Sequence, residues 1–249
     1  MNWSNKDWSI EDAKYAPKRM VNNVQSKYIN HMSGYLYSPK MKRAVGYESL
    51  WGECLFYYIL ELDLNTVRYY EQPVEIPIKF FNIELKKNVE WNHIPDCLVF
   101  KDNSVPILYQ IKGSKDFKQF SYITRACLTY VKKNNWEYSI VTPKENLPDI
   151  IKSNILFLWN FLKPRKNTES WLREIEEKIT YLDEITVIEL AKSFSGKIDY
   201  RAILPLIWHL VSIGKLQVNL MKKFDQYSVV KMGNIQQTLQ EYIYLEDRK

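Results

Sequence analysis

Pro95-Asp96 stands one β-like segment ahead of Gln110-Ile111-Lys112. Alternate side chains of a strand face the same way, so Gln110 and Lys112 share one face. A hairpin between the two segments sets Asp96 beside them. The result is a carboxylate, an amide oxygen and an ammonium in one place. Mg2+ prefers oxygen ligands, and the Gln110 amide oxygen and the Ile111 backbone carbonyl complete a shell begun by Asp96. The Lys112 ammonium can position and help deprotonate an attacking water, or offset charge gathering on phosphate oxygens. That chemistry is phosphodiester hydrolysis. Taken singly, such residues mostly cap turns or solvate the surface. Their placement in one strand order is what carries the reading.

A second carboxylate lies upstream. Glu53 falls inside an apolar helical stripe, where burial without a partner costs several kcal/mol. It belongs either at the stripe edge or at a metal or cleft. Glu48 and Glu61 compete for the same role. His31, His93 and His209 are too dispersed for a histidine metal cage. Cys54, Cys97 and Cys127 have no close spacing, which excludes a disulfide framework or thiolate zinc site and makes each a small buried apolar group.

The elements that must hold these residues follow from periodicity. Residues 1–46 have no sustained period and read as an extended basic arm with one short helix at most. From Tyr47 the run Leu50, Cys54, Tyr58 and Leu62 repeats at helical spacing, with Ser49 near its N-cap and Asp63 to Asn65 ending it. Strands are expected over 67–70, 74–81, 94–100 and 105–111, with 82–92 a hairpin loop. A helix over 117–133, a strand over 136–141 and a helix over 147–161 complete an α/β domain, 47–165. Lys163 to Asn167 forms a linker. Beyond it, 166–249 reads as three helices (171–182, 186–193, 199–213) and a β-hairpin (215–220, 227–231), the order of a winged helix. Asp199 is the expected N-cap of the third helix and Gly214 its stop.

The chain has 249 residues and a formal net charge of +6, which suits a polyanion partner. Lys14, Lys18, Arg19, Lys27, Lys40, Lys42 and Arg43 crowd the arm, interleaved with Tyr15, Tyr28, Tyr35 and Tyr37. Cations can neutralise phosphates and aromatics can stack on bases; the competing reading is a solvated lead-in. No apolar run approaches the roughly 18 residues that span a bilayer, and the N-terminus has no apolar signal core, so a cytoplasmic address is expected. The third C-terminal helix is apolar, with only Arg201 and His209 as donors to DNA, so partner contact is favoured over base readout.

The stretch Tyr47-Glu48-Ser49-Leu50 through Glu53, then Glu61-Leu62-Asp63, then Glu71-Gln72-Pro73, resembles the TnsA family, endonuclease subunits of heteromeric bacterial cut-and-paste transposases. Pro95-Asp96 and Gln110-Ile111-Lys112 resemble the rest of that family's catalytic core, including its Gln where related nucleases carry an acid. Counting back from Glu61-Leu62-Asp63 selects Glu53, although Gly52 is an extra residue in the preceding run. The resemblance covers roughly residues 40–165.

The resemblance implies a restriction-endonuclease-like core with a mixed sheet flanked by helices. It implies that Glu53, Asp96, Gln110 and Ile111 surround Mg2+ (with Mn2+ able to substitute), and that Lys112 serves the attacking water. The expected reaction is cleavage at the 5′ ends of a transposon in double-stranded DNA. The expected partners are a DDE-type transposase subunit, TnsB, and the AAA+ ATPase TnsC, the latter reached through the C-terminal domain. Two alternatives stand beside it: a stand-alone restriction, repair or junction nuclease of the same fold, and a DNA-binding adaptor with a dead nuclease core. The intact Asp96, Gln110 and Lys112 speak against the adaptor.

Overall fold

A short helix and two amphipathic strands stand where the sequence suggests an extended arm with one short helix at most. The structure, a computed structural model, describes residues 3, 6–21, 32–82, 86–112, 121–144 and 146–245, with the side chains of 80–82 and 121 left aside. Helix α1 (Ser9–Lys14) is followed by strands β1 (Gly34–Ser38) and β2 (Arg43–Tyr47), which pair antiparallel. Leu36, Met41 and Val45 from this hairpin are buried, and Tyr15 packs against Tyr70, Phe100 and Trp136. The expected extended arm is therefore corrected over its described part. Five-residue strands around the Ser38-Pro39 turn are too short to show a period, yet they bury one face. Lys27, Tyr28 and His31 lie outside the described residues.

A π-helical turn (Leu50–Cys54) leads into helix α2 (Leu55–Leu62), whose eight residues are all buried. Strands β3 (Thr66–Glu71), β4 (Ile76–Asn82), β5 (Lys87–His93), β6 (Cys97–Lys101) and β7 (Ile107–Ile111) follow. After them come α3 (Ser121–Asn134), β8 (Glu137–Pro143) and α4 (Asp149–Trp159). The expected loop at 82–92 is instead mostly β5, paired along its length with β4. Only Val89, Trp91 and His93 of β5 are half-buried, on alternate positions, so the apolar signal is thin.

The C-terminal part contains α5 (Glu169–Leu182), β9 (Glu184–Thr186), α6 (Val187–Lys192), α7 (Tyr200–Ser212), β10 (Leu216–Val218) and β11 (Val229–Met232). Strands β10, β11 and β9 form an antiparallel sheet in that order. Asp199 caps α7 by accepting from the Arg201 N–H at 2.9 Å, and Gly214 takes φ +74° just past its end. Residues 206–212 of α7 are buried, so this helix is core. His209 donates from Nδ1 to the Phe161 carbonyl at 2.6 Å, which removes it as a DNA donor.

The chain then returns through α8 (Gln236–Gln240) to β12 (Ile243–Leu245). Strand β12 pairs antiparallel with β8, giving a mixed five-stranded sheet in the order β12-β8-β7-β6-β3, with β7 and β8 parallel. The end of the segment expected as 166–249 thus completes the sheet of the segment expected as 47–165. Asn234 adds a second tie by donating to the Leu62 carbonyl at 2.7 Å. A three-residue strand has no period to read. Cys54, Cys97 and Cys127 are free and buried, as expected. Among the described residues no helix is long and apolar enough to cross a membrane.

Candidate active site

Glu53 owes its position to the entry of α2. Ser49 is extended and caps the turn, accepting from the Gly52 N–H at 3.1 Å. The π-helical turn absorbs one residue more than an α-helical turn holds, and such bulges recur at functional sites. Gly52, the extra residue of the sequence comparison, lies inside it. A Cβ there would come within 2.6 Å of the Ser49 hydroxyl and 3.5 Å of the Ile111 side chain. The turn directs Glu53 inward, where it is 9% exposed and accepts from the Glu48 N–H at 2.7 Å.

Asp96 sits immediately before β6. The β6–β7 register pairs Cys97 with Tyr109, and one further step sets Asp96 across from Gln110. Its Oδ2 accepts from the Ile111 N–H at 2.5 Å and from the Gln110 amide Nε2. Its backbone carbonyl accepts from the Gln72 N–H at 3.0 Å and the Tyr57 hydroxyl at 3.2 Å. Gln110 is buried, and its Oε1 meets His93 Nε2 at 2.8 Å. Lys112 is held by its own N–H, which donates to the Val141 carbonyl at 2.8 Å and continues the β7–β8 ladder.

Glu53 and Lys112 border an open cleft of about 460 Å³, with Asp96 and Gln110 set behind its wall. Glu48, Glu53, Ile111, Lys112, Lys144 and Lys152 line it. Burial, and then the neighbouring Asp96 charge, pushes the Glu53 carboxyl up to about 8; the Glu48 N–H and Arg19 act the other way. Burial likewise raises Asp96 to about 6, against the Ile111 N–H, Lys112 and Arg19. Burial lowers His93, reinforced by Lys112 and Arg19 and opposed by Gln110.

Two adjacent carboxyls that resist ionisation together are what a divalent cation relieves. Among the described residues no group of three His, Cys, Asp or Glu side chains gathers. The donors at hand are two carboxylates, the Gln110 amide oxygen and the Ile111 carbonyl. An all-oxygen set of this kind fits Mg2+ rather than a softer metal.

The competing carboxylates have other partners. Glu61 is buried and accepts from the Ser38 hydroxyl, the Tyr69 hydroxyl at 2.7 Å and the Lys40 N–H at 3.2 Å, a structural role under the β1–β2 hairpin. Glu48 stays at the cleft and pairs with Arg19 at 2.5 Å. Glu71 takes two bonds from Arg43 at 2.6 Å. Asp63 receives the Asn65 N–H, the Thr66 hydroxyl and Lys101. Much of the Glu61-Leu62-Asp63 and Glu71-Gln72-Pro73 signature is thus scaffold.

The arm also divides. Lys40 donates to the Asp63 and Thr66 carbonyls, and Arg43 is engaged by Glu71, so neither is spare for phosphate. Tyr15 is core, so it is not a base-stacking side chain. Arg19 lies at the cleft edge through its pairing with Glu48, which lines it. Sequence reasoning missed the association of His93 and Arg19 with the site. Its one available signal was that His93 stands three residues before Asp96.

Comparison with known proteins bears on the strands that carry this geometry. No curated protein matches the chain. Residues 63–143 match the sequence model of the family described as TnsA-like endonuclease N terminal. The matched span runs from the end of α2 through β8, and includes Asp96, Gln110 and Lys112 but not Glu53. Over that span, about a third of the chain, the protein is similar to the TnsA-like endonuclease N-terminal domain.

Proposed function

We propose that this protein is a Mg2+-dependent DNA endonuclease subunit of a transposase, cutting phosphodiesters at the 5′ ends of a transposon. The observation that carries the reading is that Asp96, bonded to Gln110 and the Ile111 N–H, lies within electrostatic reach of Glu53 and Lys112, which line the adjoining cleft. Glu53, Asp96, the Gln110 amide oxygen and the Ile111 carbonyl would hold the cation. Bound there, Mg2+ would polarise the phosphoryl group and lower the pKa of water. The Ile111 N–H fixes the Asp96 carboxylate. Lys112 faces the cleft as the cation that orients the nucleophile or meets developing negative charge. Lys144 and Lys152 supply positive charge for the flanking phosphates.

The core is read as restriction-endonuclease-like and the C-terminal helices and sheet as a winged helix. A DDE transposase subunit of the TnsB type and an ATPase of the TnsC type are the proposed partners. Support for a partner-facing C-terminal unit comes from exposed Tyr181, Tyr227, Val229 and Met232 on it, together with a buried α7 that leaves little for base readout.

Strand-specific cleavage of a plasmid carrying the element's own ends tests this, with the partner transposase and Mg2+, comparing wild type with Asp96→Ala. The expected result is loss of 5′-strand cuts with 3′-strand cuts kept. Equal 5′ cutting by both proteins would refute the site. Cutting by wild type without any partner would favour a stand-alone nuclease. Absence of 5′ cuts from wild type would favour the adaptor.

A further inference from the structure

The Gln110 amide is buried between two partners of different character. An amide offers an oxygen acceptor at one end and two N–H donors at the other. An ionised carboxylate only accepts, so the NH2 end faces Asp96 and the oxygen faces His93 Nε2 at 2.8 Å. In this state the ring proton of His93 must be on Nε2, where it donates to Gln110. For the Gln110 oxygen to face a cation beside Asp96, the amide must turn over. Its NH2 then faces His93, and Nε2 must accept.

We propose that His93 is the positioning residue for Gln110, and that its neutral ring changes from the Nε2–H to the Nδ1–H tautomer when Gln110 turns its oxygen toward a divalent cation at Asp96. The inference rests on the reading of Asp96 and Gln110 as metal ligands. No net charge changes: Nε2 releases its proton to water and Nδ1 takes one from water. His93 is half-buried, which leaves the ring access to solvent for that exchange. A neutral imidazole can donate or accept at Nε2 in turn. A lysine could only donate and an aspartate only accept. Gln110 is 4% exposed, so water does not readily replace a lost partner. His209 is a built-in reference, since its Nδ1 donates to the Phe161 carbonyl and fixes that ring as Nδ1–H.

Ring-nitrogen NMR of the histidine-labelled full chain at pH 7.5 tests this, with and without saturating Mg2+. Titration calorimetry with Mg2+ runs alongside, and His93→Gln identifies the His93 signals. The expected result is that the two His93 nitrogens exchange bare and protonated character on Mg2+ addition while His209 stays unchanged. Because outer partners of metal ligands typically change affinity about tenfold or more, His93→Leu is expected to weaken Mg2+ by about tenfold. His93→Gln, which can also donate or accept, stays within a few-fold of wild type. Mg2+ binding with an unchanged His93 tautomer, or wild-type affinity in His93→Leu, overturns the role of His93 and leaves the metal site standing. Absence of Mg2+ binding in wild type overturns both.

Discussion

The Tyr57 hydroxyl donates to the Asp96 carbonyl at 3.2 Å, one helical turn beyond Glu53. Residues four apart lie on the same helix face, so the contact ties the face bearing Glu53 to the strand bearing Asp96. It is a direct link between the element inside the matched family domain and the carboxylate outside it.

Tyr57→Phe removes this donor with little change in volume. The expected loss of stability is about 1 kcal/mol, read from urea denaturation. The single-turnover cutting rate falls by more than that loss of folded protein explains, because the spacing of the two carboxylates relaxes. An unchanged rate would show that the contact is not needed for the site.

Gly52→Ala sets a Cβ against the Ser49 hydroxyl. Loss of an N-cap costs about 1 kcal/mol, and the π-helical turn must shift. The expected outcome is a modest fall in melting temperature with a large fall in DNA cutting. Full activity in this variant would mean that Glu53 does not need the turn.

The metal-free protein should lose stability as pH rises from about 5 to 8. Glu53 and Asp96 are raised to about 8 and about 6 in the folded chain, against ordinary values near 4. The folded state therefore holds more protons than the unfolded state across that window, and stability falls with pH. His93 and His209, both lowered, act oppositely below their ordinary range. Subtracting the melting profile of the Glu53→Gln, Asp96→Asn double variant from wild type, both in EDTA, isolates the carboxyls. A flat difference refutes the assignment, and added Mg2+ should remove the slope.

Arg43→Ala leaves Glu71 buried without its two 2.6 Å donors. Removing one partner of a buried ion pair is strongly destabilising. Arg43 is itself partly exposed, so about 2–3 kcal/mol is expected, at the upper end of the cost of an unsatisfied buried group. Denaturant unfolding reads it. Arg43→Met, which keeps the stem but not the guanidinium, should lose nearly as much; recovery by Met would assign the effect to packing instead.

The residues nearest the proposed chemistry were legible because strand geometry restricts where side chains point. Asp96, Gln110 and Lys112 fall on two strands joined by a short turn, and period-2 alternation with an antiparallel register brings the first two across from each other. From the residues alone Glu53 was legible as a polar residue in an apolar helix, and the family resemblance is what selected it. The choice among Glu48, Glu53 and Glu61 depends on partners up to 29 residues away, such as Ser38 for Glu61 and Arg19 for Glu48. Strands β1, β2, β5, β9 and β12 were missed: β9 and β12 have three residues, β1 and β2 five, and β5 fully buries none of its side chains.

By itself the sequence determined most of the helices and strands from α2 to α7, with β5 and β9 the exceptions, the cap at Asp199, the burial of the cysteines, and the strand order carrying Asp96, Gln110 and Lys112. These follow from local periodicity and capping chemistry, which act over a few residues. The tertiary structure alone decided that His93 meets Gln110, that Arg19 pairs with Glu48 at the cleft edge, that the signature acids at Glu61, Asp63 and Glu71 serve the scaffold, and that β12 closes the sheet beside β8. Those outcomes depend on which distant groups a buried charge or an open strand edge finds as partners, and local sequence does not encode that choice.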